Sequence, residues 1–264
     1  MTSVRRFFRT PKGLVLIVLG LLAAIAATGT GVMAIAPVVL GATATAALID
    51  LIVLRVKKKR WVFPDGALLT GLIIAMILAP EEPWYVAAVT AAVAVASKYL
   101  LRSGKANVFN PAALGLVATF YLFDPAQNWW GALPELAPAA IVILLAAGAF
   151  ITLRVNKAPA VLSFLGVYYL LVTLAAYLRD PAQVAELFRA PDLHATLYFA
   201  FFMVTDPPTS PPKHRDQVVF GAIVAVVGIA VFEVVGAAYF LLAGLLVANV
   251  HESWRRWNSH RRMQ

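Results

Sequence analysis

Three short segments of this chain place polar side chains and proline beside apolar runs. Residues 65–66 (Asp-Gly) and 110–111 (Asn-Pro) each precede an apolar run, and such pairs are typical of the start of a helix. Backbone N–H groups at a helix start carry partial positive charge and bind anionic or polar groups. Residues 205–210 instead follow an apolar run, and their prolines predict that the last carbonyl groups of that run stay free, beside hydroxyls and a carboxylate. The three segments therefore predict a binding site for a polar ligand.

Each pattern also has a purely structural explanation. A helix cap needs no ligand, and Asp65 and Asn110 are both expected N-caps, whereas the prolines are equally typical of a rigid helix stop. Asp50 is the one carboxylate inside a long apolar run, and Glu233 stands near the outer end of another. Acids inside membrane segments are candidates for an ion path. Arg55 or Lys57 is the expected partner of Asp50, and the alternative is that its carboxylate reaches the membrane interface.

The composition predicts the elements that must position these residues. Hydrophobic residues make up 61% of the chain and charged residues 13%, with a mean hydropathy of +0.81. Apolar runs separated by charge, proline or glycine are typical of a polytopic α-helical membrane protein. The ten predicted spans are residues 13–27, 33–54, 66–79, 84–101, 111–123, 136–153, 158–178, 193–204, 218–235 and 236–250.

The basic residues predict how these spans are oriented. With the N-terminus in the cytoplasm, all of the 22 lysines and arginines except Arg179 and Arg189 fall on the cytoplasmic side, as the positive-inside rule requires. Both termini are therefore expected in the cytoplasm and the chain in the plasma (inner) membrane. The net charge of +9 is explained by cytoplasmic loops beside anionic lipid, so no nucleic-acid partner is expected.

Several classes of site are excluded or not expected. The absence of cysteine excludes disulfides, thiolate iron–sulfur ligands and thiol catalysis in this chain. The histidines show no metal-ligand spacing, and no catalytic triad, P-loop or dinucleotide fingerprint occurs, so neither a metal site nor a catalytic residue is predicted. The start resembles a twin-arginine signal, but an uncleaved first span keeps the later charge alternation intact, so cleavage is not expected.

The spans divide into two halves that are expected to be related by inversion. Five spans per half make the second half enter the membrane from the opposite side. Met76 and Met203, like Pro80 and Pro207, are 127 residues apart. The predicted regions are a basic N-terminus (1–12), two five-helix repeats (13–130 and 131–250) and a basic cytoplasmic tail (251–264).

Four spans are too short to cross a bilayer. The third, fifth, eighth and tenth hold roughly 12 to 15 apolar residues and reach about 20 Å, whereas the hydrocarbon layer needs about 20 residues. Short helices leave backbone groups without partners unless they line an enclosed cavity. These four are therefore expected in the centre, around a polar cavity. The alternative is that their loops extend into the headgroups and no cavity exists.

Three ordered motifs resemble the RnfD/NqrB family. They are Asp-Gly-Ala-Leu-Leu-Thr-Gly-Leu at 65–72, Phe-Asn-Pro-Ala-Ala-Leu-Gly at 109–115 and Phe-Met-Val-Thr-Asp-Pro-Pro-Thr-Ser-Pro at 202–211. Its members are membrane subunits of ion-translocating ferredoxin:NAD and NADH:quinone oxidoreductase complexes. The resemblance, over about residues 65–250, implies an all-α membrane protein with ten helices in two inverted repeats, similar to urea transporters.

The resemblance also implies a flavin, either FMN or riboflavin, and electron passage across the bilayer coupled to Na⁺ or H⁺ movement. Implied partners besides the lipid bilayer are other membrane redox subunits or a flavin or iron–sulfur electron-transfer protein. Family members often attach flavin to the threonine of a Ser-Gly-Ala-Thr motif, but the corresponding residues 124–135 contain neither threonine nor serine. A noncovalent flavin is therefore expected, and nothing in the chain predicts hydride transfer by this subunit alone. The residues implied around the cofactor are Asp65, Gly66, Thr70, Asn110, Pro111, Thr205, Asp206, Thr209 and Ser210.

A second class of function fits the same pattern. The short helices would then line the pore of a transporter or channel for a small polar solute, such as urea or a flavin-like vitamin. Sparse charge within the membrane suits a neutral solute as well as a cofactor. A visible spectrum of the purified protein separates the two hypotheses, because only the first expects bound flavin.

Overall fold

The structure is a computed structural model that describes residues 10–59, 61–103, 106–136, 138–179 and 188–261. Within these residues the chain forms ten α-helices, with a short antiparallel pair of strands, β1 (Arg102–Ser103) and β2 (Ala106–Asn107), between the fourth and fifth. The helices are α1 (Pro11–Thr30), α2 (Val32–Lys58), α3 (Asp65–Ile77), α4 (Trp84–Leu100), α5 (Pro111–Phe123), α6 (Ala139–Arg154), α7 (Ala158–Arg179), α8 (Asp192–Phe202), α9 (His214–Val235) and α10 (Phe240–Arg261).

Each predicted span overlaps one helix, and the largest difference is at the C-terminal end. Helix α10 runs over 22 residues to Arg261, whereas the sequence predicts a short tenth span and a tail over residues 251–264. Glu252 pairs with Arg255 and Arg256 one turn further along, and such pairs stabilise a helix beyond its apolar part. The prediction that the tenth helix is short is therefore wrong, although its apolar stretch does end near Val250.

Among the helices that the structure describes, four are long and apolar enough to cross a membrane, namely α1, α2, α7 and α9. Large apolar side chains on them point outward, among them Leu40 on α2 and Leu162 and Leu170 on α7. A water-soluble protein rarely exposes contiguous apolar surface of this kind, whereas lipid solvates it. The described chain is therefore an all-α membrane protein.

Three of the described helices are short, and two of them, α3 and α8, are largely buried. Helices α3 and α5 have 13 residues and α8 has 11, so they reach about 20 Å and 17 Å. Met76 and Ile77 at the end of α3 are fully buried, as are Tyr198 and Phe199 of α8. The interior of the bundle is thus built from helices that do not span its full depth.

The same helix pairs pack in both halves of the chain. Helix α2 packs on α4 as α7 packs on α9, α4 on α5 as α9 on α10, and α1 on α3 as α6 on α8. Equivalent helices begin at nearly constant offsets in sequence. The offset is 128 residues for α1 and α6, 126 for α2 and α7, 127 for α3 and α8, 130 for α4 and α9, and 129 for α5 and α10. The start of α3 at Asp65 and the start of α8 at Asp192 show the same offset as the paired methionines and prolines.

Glycine brings the long helices close together. A Cβ atom added to Gly221 of α9 would lie 2.3 Å from the carbonyl oxygen of Ala160 on α7, and one added to Gly244 of α10 would lie 2.3 Å from that of Val224 on α9. Small residues at such contacts let helix backbones approach closely in membranes. The α7–α9–α10 layer therefore depends on the absence of side chains at these points.

Candidate functional site

The ends of the short helices meet around a cavity of about 690 Å³. Its wall is formed by the starts of α1, α3 and α5, by the ends of α4 and α6, and by the segment that follows α8. Seven of the nine predicted cofactor residues line it: Asp65, Gly66, Thr70, Asn110, Pro111, Thr205 and Asp206. The three motifs, distant in sequence, therefore share one cavity, while their role in binding a cofactor stays a prediction.

The other two predicted residues, Thr209 and Ser210, lie behind the cavity wall. Both are buried, and both bind Asp206. The Thr209 hydroxyl donates to the Asp206 carboxylate at 2.7 Å, and the Ser210 hydroxyl donates to the Asp206 carbonyl at the same distance. Thr205 likewise donates to the carbonyl of Phe201 at 2.6 Å. The hydroxyl hydrogens of this segment therefore fix its own turn rather than point at a ligand.

At the start of α3, the predicted cap is displaced by one residue. Pro64 occupies the cap position and makes no side-chain cap, and Asp65 is the first residue of the helix. Its carboxylate accepts the N–H of Gly66 at 2.6 Å and lies 3.7 Å from the Lys12 ammonium. The prediction that Asp65 is the N-cap is therefore wrong. Its negative charge still stabilises the start of the helix, because the first turn carries partial positive charge. Thr70 donates to the carbonyl of Gly66 at 2.8 Å.

At the start of α5, the predicted cap is confirmed. The Asn110 side chain accepts the N–H of Ala113 at 3.1 Å, and Pro111 is the first helical residue. Asn110 also donates its own backbone N–H to the side-chain oxygen of Asn249 at 2.8 Å. The start of α5 is therefore fixed from both sides, by its own side chain and by α10.

Asn249 joins two of the three motifs, and sequence reasoning missed it. Its side-chain nitrogen donates to the carbonyl of Thr209 at 3.3 Å, while its oxygen accepts from Asn110, and the whole residue is fully buried. It is the one polar residue in the apolar part of α10, residues 240–250, which is the signal that would have found it. One amide group therefore holds the start of α5 against the segment after α8.

Replacing Asn249 with leucine is expected to lower the free energy of unfolding by about 1–3 kcal/mol, because buried polar groups lose their partners and water in the adjacent cavity replaces only part of them. Thermal unfolding in detergent measures the loss. Val250→Leu, at an exposed neighbouring position, is the matched control and should unfold like the wild type. Equal unfolding temperatures for Asn249→Leu and the control would show that the amide does not support the site.

Three carbonyl groups in the proline-rich segment after α8 accept hydrogen bonds from two basic side chains. Lys157 donates to the carbonyls of Ser210 at 3.2 Å and Pro211 at 2.7 Å. Arg256 donates to those of Pro208 at 2.9 Å and Ser210 at 3.0 Å. The sequence predicts that the last carbonyls of the eighth span stay free, and this is wrong for two of them: that of Phe201 accepts the Thr205 hydroxyl, and that of Met203 accepts the N–H of Asp206 at 3.3 Å. The carbonyls of the following segment bind side chains from outside it. Glycine and proline patterns cannot reveal such partners, which lie far away in sequence.

Burial shifts the pKa values of two ionisable groups in these connecting segments. Lys157, between α6 and α7, is buried, and desolvation lowers its pKa to about 8, with the nearby Arg256 acting in the same direction and Asp206 and Glu252 opposing. Desolvation likewise raises the pKa of the Asp206 carboxyl, against the effect of its hydrogen bond from Thr209. Both groups therefore favour their neutral forms more than they would in water.

The contribution of Lys157 to the free energy of unfolding is expected to increase as the pH rises from about 8 to 10.5. In the folded protein Lys157 releases its proton near pH 8, whereas in the unfolded chain it keeps the proton up to about 10.5. Within this window the unfolded state binds more protons, so raising the pH favours folding. Thermal unfolding at several pH values measures the effect. The part due to Lys157 should vanish in Lys157→Met and persist in Lys58→Met, which changes an exposed lysine; identical pH profiles for both variants would contradict it.

Asp50 pairs with α4 rather than with its own helix. It is 1% exposed, and its carboxylate lies 2.8 Å from the Lys98 ammonium and accepts the hydroxyl of Tyr99. Arg55 and Lys57, the expected partners, are exposed instead. The packing of α2 on α4 brings Lys98 to Asp50, so the predicted partner is wrong. Because Lys98 lines the cavity, Asp50 stands directly behind the cavity wall.

Glu233, the other residue of the predicted ion path, lies elsewhere. It forms an ion pair with Arg179 between the ends of α9 and α7, away from the residues that line the cavity. The structure therefore does not bring Asp50 and Glu233 together.

The opposite end of α3 is filled by the segment that follows α5. Trp130 donates its indole N–H to the carbonyl of Ala75 at 2.7 Å, and the backbone N–H groups of Asn128 and Trp129 donate to Ile77 at 2.9 and 3.1 Å. A Cβ added to Gly131 would lie 2.5 Å from Met76, so this segment packs without space to spare. The cavity therefore lies at the start of α3, and protein fills the other end of that helix.

The cavity is lined by both polar and apolar side chains. Lys12, Lys98 and Asn107 add polar groups to those predicted, whereas Leu69, Ile73, Ile151, Val155 and Phe202 make an apolar wall. Cavities of roughly 300–1,000 Å³ with mostly apolar walls and a few polar groups are typical of sites for small organic ligands.

Comparison with known proteins shows where similar sequences occur. The sequence profile of the NQR2, RnfD, RnfE family matches residues 8–136 and 129–251. The D subunit of a proton-translocating ferredoxin:NAD(+) oxidoreductase complex of Clostridium ljungdahlii is 32% identical over 105 residues, which cover 39% of this chain and 31% of that protein. The D subunit of an ion-translocating oxidoreductase complex of Escherichia coli is 31% identical over 96 residues, or 35% of this chain and 27% of that protein. Its counterpart in Salmonella paratyphi A is 26% identical over 264 aligned residues, covering 70% of this chain and 74% of that protein. The chain thus aligns with less than a third of the first two relatives and with about three quarters of the third.

Proposed function

This chain belongs to the NQR2, RnfD, RnfE family, and on that premise we propose that it is a membrane subunit of an ion-translocating oxidoreductase complex. The relatives named above are all D subunits of such complexes, which supports the proposal. Since the chain has no cysteine, any thiolate-bound iron–sulfur centre of the complex belongs to another subunit or to a soluble electron-transfer protein.

The proposed role of the cavity is to hold a flavin without a covalent bond. The observation that carries this proposal is a space of about 690 Å³ with a largely apolar wall, lined by residues of the three motifs. Leu69, Ile73 and Phe202 suit the apolar faces of a flat ring system, and Thr70 and Asn110 offer polar contacts to its edge. At the far end of α3, where Trp130 and Gly131 pack against the helix, protein excludes water.

A bound flavin supplies one- and two-electron redox chemistry, and the chain supplies its position and surroundings. Lys12, Lys98, Asp65 and Asp206 set the electrostatic potential of the cavity. Electron transfer through this subunit would be coupled to Na⁺ or H⁺ movement elsewhere in the complex or along polar groups of this chain. The buried pair of Asp50 and Lys98 is the part of the predicted ion path that adjoins the cavity.

The proposed topology places both termini and the mouth of the cavity on the cytoplasmic side of the inner membrane. The positive-inside rule supports it, because Lys12 and Lys98 at the cavity and Lys213 and Arg215 after the third motif all fall on one side. The two halves would then be inverted repeats, which the matched helix pairs and near-constant offsets support.

A visible spectrum of the protein purified in detergent tests the flavin proposal. Flavin absorbance close to one equivalent per chain is expected, and mild denaturation should release it completely. Leu69→Trp, which fills the cavity, should lose the flavin, whereas Leu40→Trp, on the lipid-exposed face of α2, should retain it. A colourless wild-type protein that binds no added flavin overturns the proposal, and solute uptake by its liposomes would then favour the transporter.

A further inference from the structure

Two lysine ammonium groups from different helices converge on one point of the cavity wall. A Cβ atom added to Gly66 would lie 3.4 Å from the Lys98 nitrogen and 3.8 Å from the Lys12 nitrogen. The two nitrogens therefore lie within about 7 Å of each other. Both residues line the cavity, and neither belongs to the motifs that the sequence singled out.

The carboxylates beside these lysines hold them in place but leave hydrogen-bond donors for a ligand. Lys98 donates to Asp50, which is not among the residues that line the cavity, and an ammonium group has three donors. Lys12 is 3.7 Å from Asp65, which is longer than a hydrogen bond, and its side chain is 55% exposed. A ligand at the cavity mouth can therefore reach both ammonium groups without breaking the buried pair.

The rest of the cavity defines the shape of the ligand. The apolar residues of its wall, among them Ile73, Ile151 and Phe202, are buried, and Asn107 adds an amide to the lining. Such a cavity fits a molecule with an apolar or aromatic body and an anionic end group. The anionic end is therefore expected at the two lysines. Asp206 also lines the cavity and lies within electrostatic range of Lys12, but burial raises the pKa of its carboxyl, so it repels an anionic ligand less than an ordinary carboxylate would.

We propose that Lys12 and Lys98 form a phosphate-binding subsite and that the cavity takes a phosphate-bearing flavin mononucleotide in preference to riboflavin. The flavin part of this inference rests on the proposed function, but the phosphate subsite does not. Phosphate at this point gains charge-assisted hydrogen bonds from two directions, and the first turn of α3 adds partial positive charge. The phosphate of a lipid headgroup offers the same chemistry and is the second source to be tested.

Titration of the flavin-free protein with FMN and with riboflavin, followed by flavin fluorescence, measures the preference. FMN is expected to bind about tenfold more tightly or better, because two charged hydrogen bonds distinguish it. Lys12→Gln should reduce the affinity for FMN and leave that for riboflavin within about twofold. Lys58→Gln, at an exposed position of α2 outside the cavity, is the matched control. Since Lys98→Gln alone leaves Asp50 without a counter-ion, Lys98 is tested in the double variant Asp50→Asn/Lys98→Gln.

A second measurement tests the subsite without flavin. Inorganic phosphate, added at constant ionic strength against chloride, should raise the unfolding temperature of the wild type but not of Lys12→Gln. The same titration in nanodiscs of phosphatidylcholine, with and without phosphatidylglycerol, identifies the source. Loss of the phosphate effect only when the anionic lipid is present indicates that a lipid headgroup occupies the subsite.

The outcomes separate the two proposals. Stabilisation by phosphate without any flavin binding supports the subsite and overturns the flavin function. Equal affinities for FMN and riboflavin, with no effect of phosphate on the wild type, overturn the subsite and leave the flavin function standing. If the protein binds no flavin and phosphate does not stabilise it, both proposals are overturned.

Discussion

Replacing Lys98 with glutamine is expected to lower the free energy of unfolding by about 3–5 kcal/mol, because it removes one partner of a buried ion pair. Asp50 is 1% exposed and lies 2.8 Å from the Lys98 ammonium, and its remaining hydrogen bond comes from Tyr99. Leaving a buried carboxylate without a counter-ion costs more folding free energy than the intact ion pair contributes. Urea or thermal unfolding in detergent measures the change, as does the yield of monodisperse protein.

The matched variants form a double-mutant cycle. Asp50→Asn should cost less, since Lys98 is 24% exposed and its ammonium can turn toward water. The double variant Asp50→Asn/Lys98→Gln should regain most of the stability lost in Lys98→Gln, because it leaves no unpaired charge. Additive losses in the double variant would contradict this account, since they would mean that the two residues act independently.

Replacing Gly221 with valine is expected to lower the free energy of unfolding by about 3 kcal/mol or more, at the upper end of the range for overpacked interiors. An added Cβ would lie 2.3 Å from the carbonyl oxygen of Ala160 and 2.8 Å from the backbone nitrogen of Phe164. Backbone atoms cannot swing aside as a flexible side chain can, so α9 would have to move away from α7. Size-exclusion profile and unfolding temperature in detergent report this separation.

Gly166→Val is the control for this substitution. Gly166 lies on α7, away from the contact, and an added Cβ there would meet nothing within 4 Å. The same change of side chain should therefore leave the unfolding temperature nearly unchanged. If both variants lost stability equally, the cause would be valine within a membrane helix and not the contact between α7 and α9.

The sequence was sufficient to predict most of the helices because each depends on local signals. Apolar length and flanking charge locate the spans, and the Asn-Pro pair at 110–111 marks the start of α5 where the structure has it. The cap of α3 is one residue earlier than predicted, at Pro64, so Asp65 is the first helical residue. The composition of the segment does not reveal this difference. The extension of α10 depends on ion pairs of Glu252 beyond the apolar stretch.

The partners of the site residues could not be predicted in the same way. Asp50 meets Lys98, 48 residues away, because α2 packs on α4, and a single sequence carries no direct record of that pairing. The carbonyls of the segment after α8 bind Lys157 and Arg256, which stand in a loop and on the last helix. Motifs therefore located the cavity, whereas its charged and amide supports depend on tertiary packing.

The hydrogen bond between Asn110 and Asn249 spans 139 residues of sequence. Because the ribosome synthesises the helices in chain order, the start of α5 cannot form this hydrogen bond until α10 has entered the bilayer. Helices of the first half thus reach the membrane before one wall of the cavity is complete. Nascent chains that stop before residue 249 should accordingly insert and yet fail to assemble a working pocket.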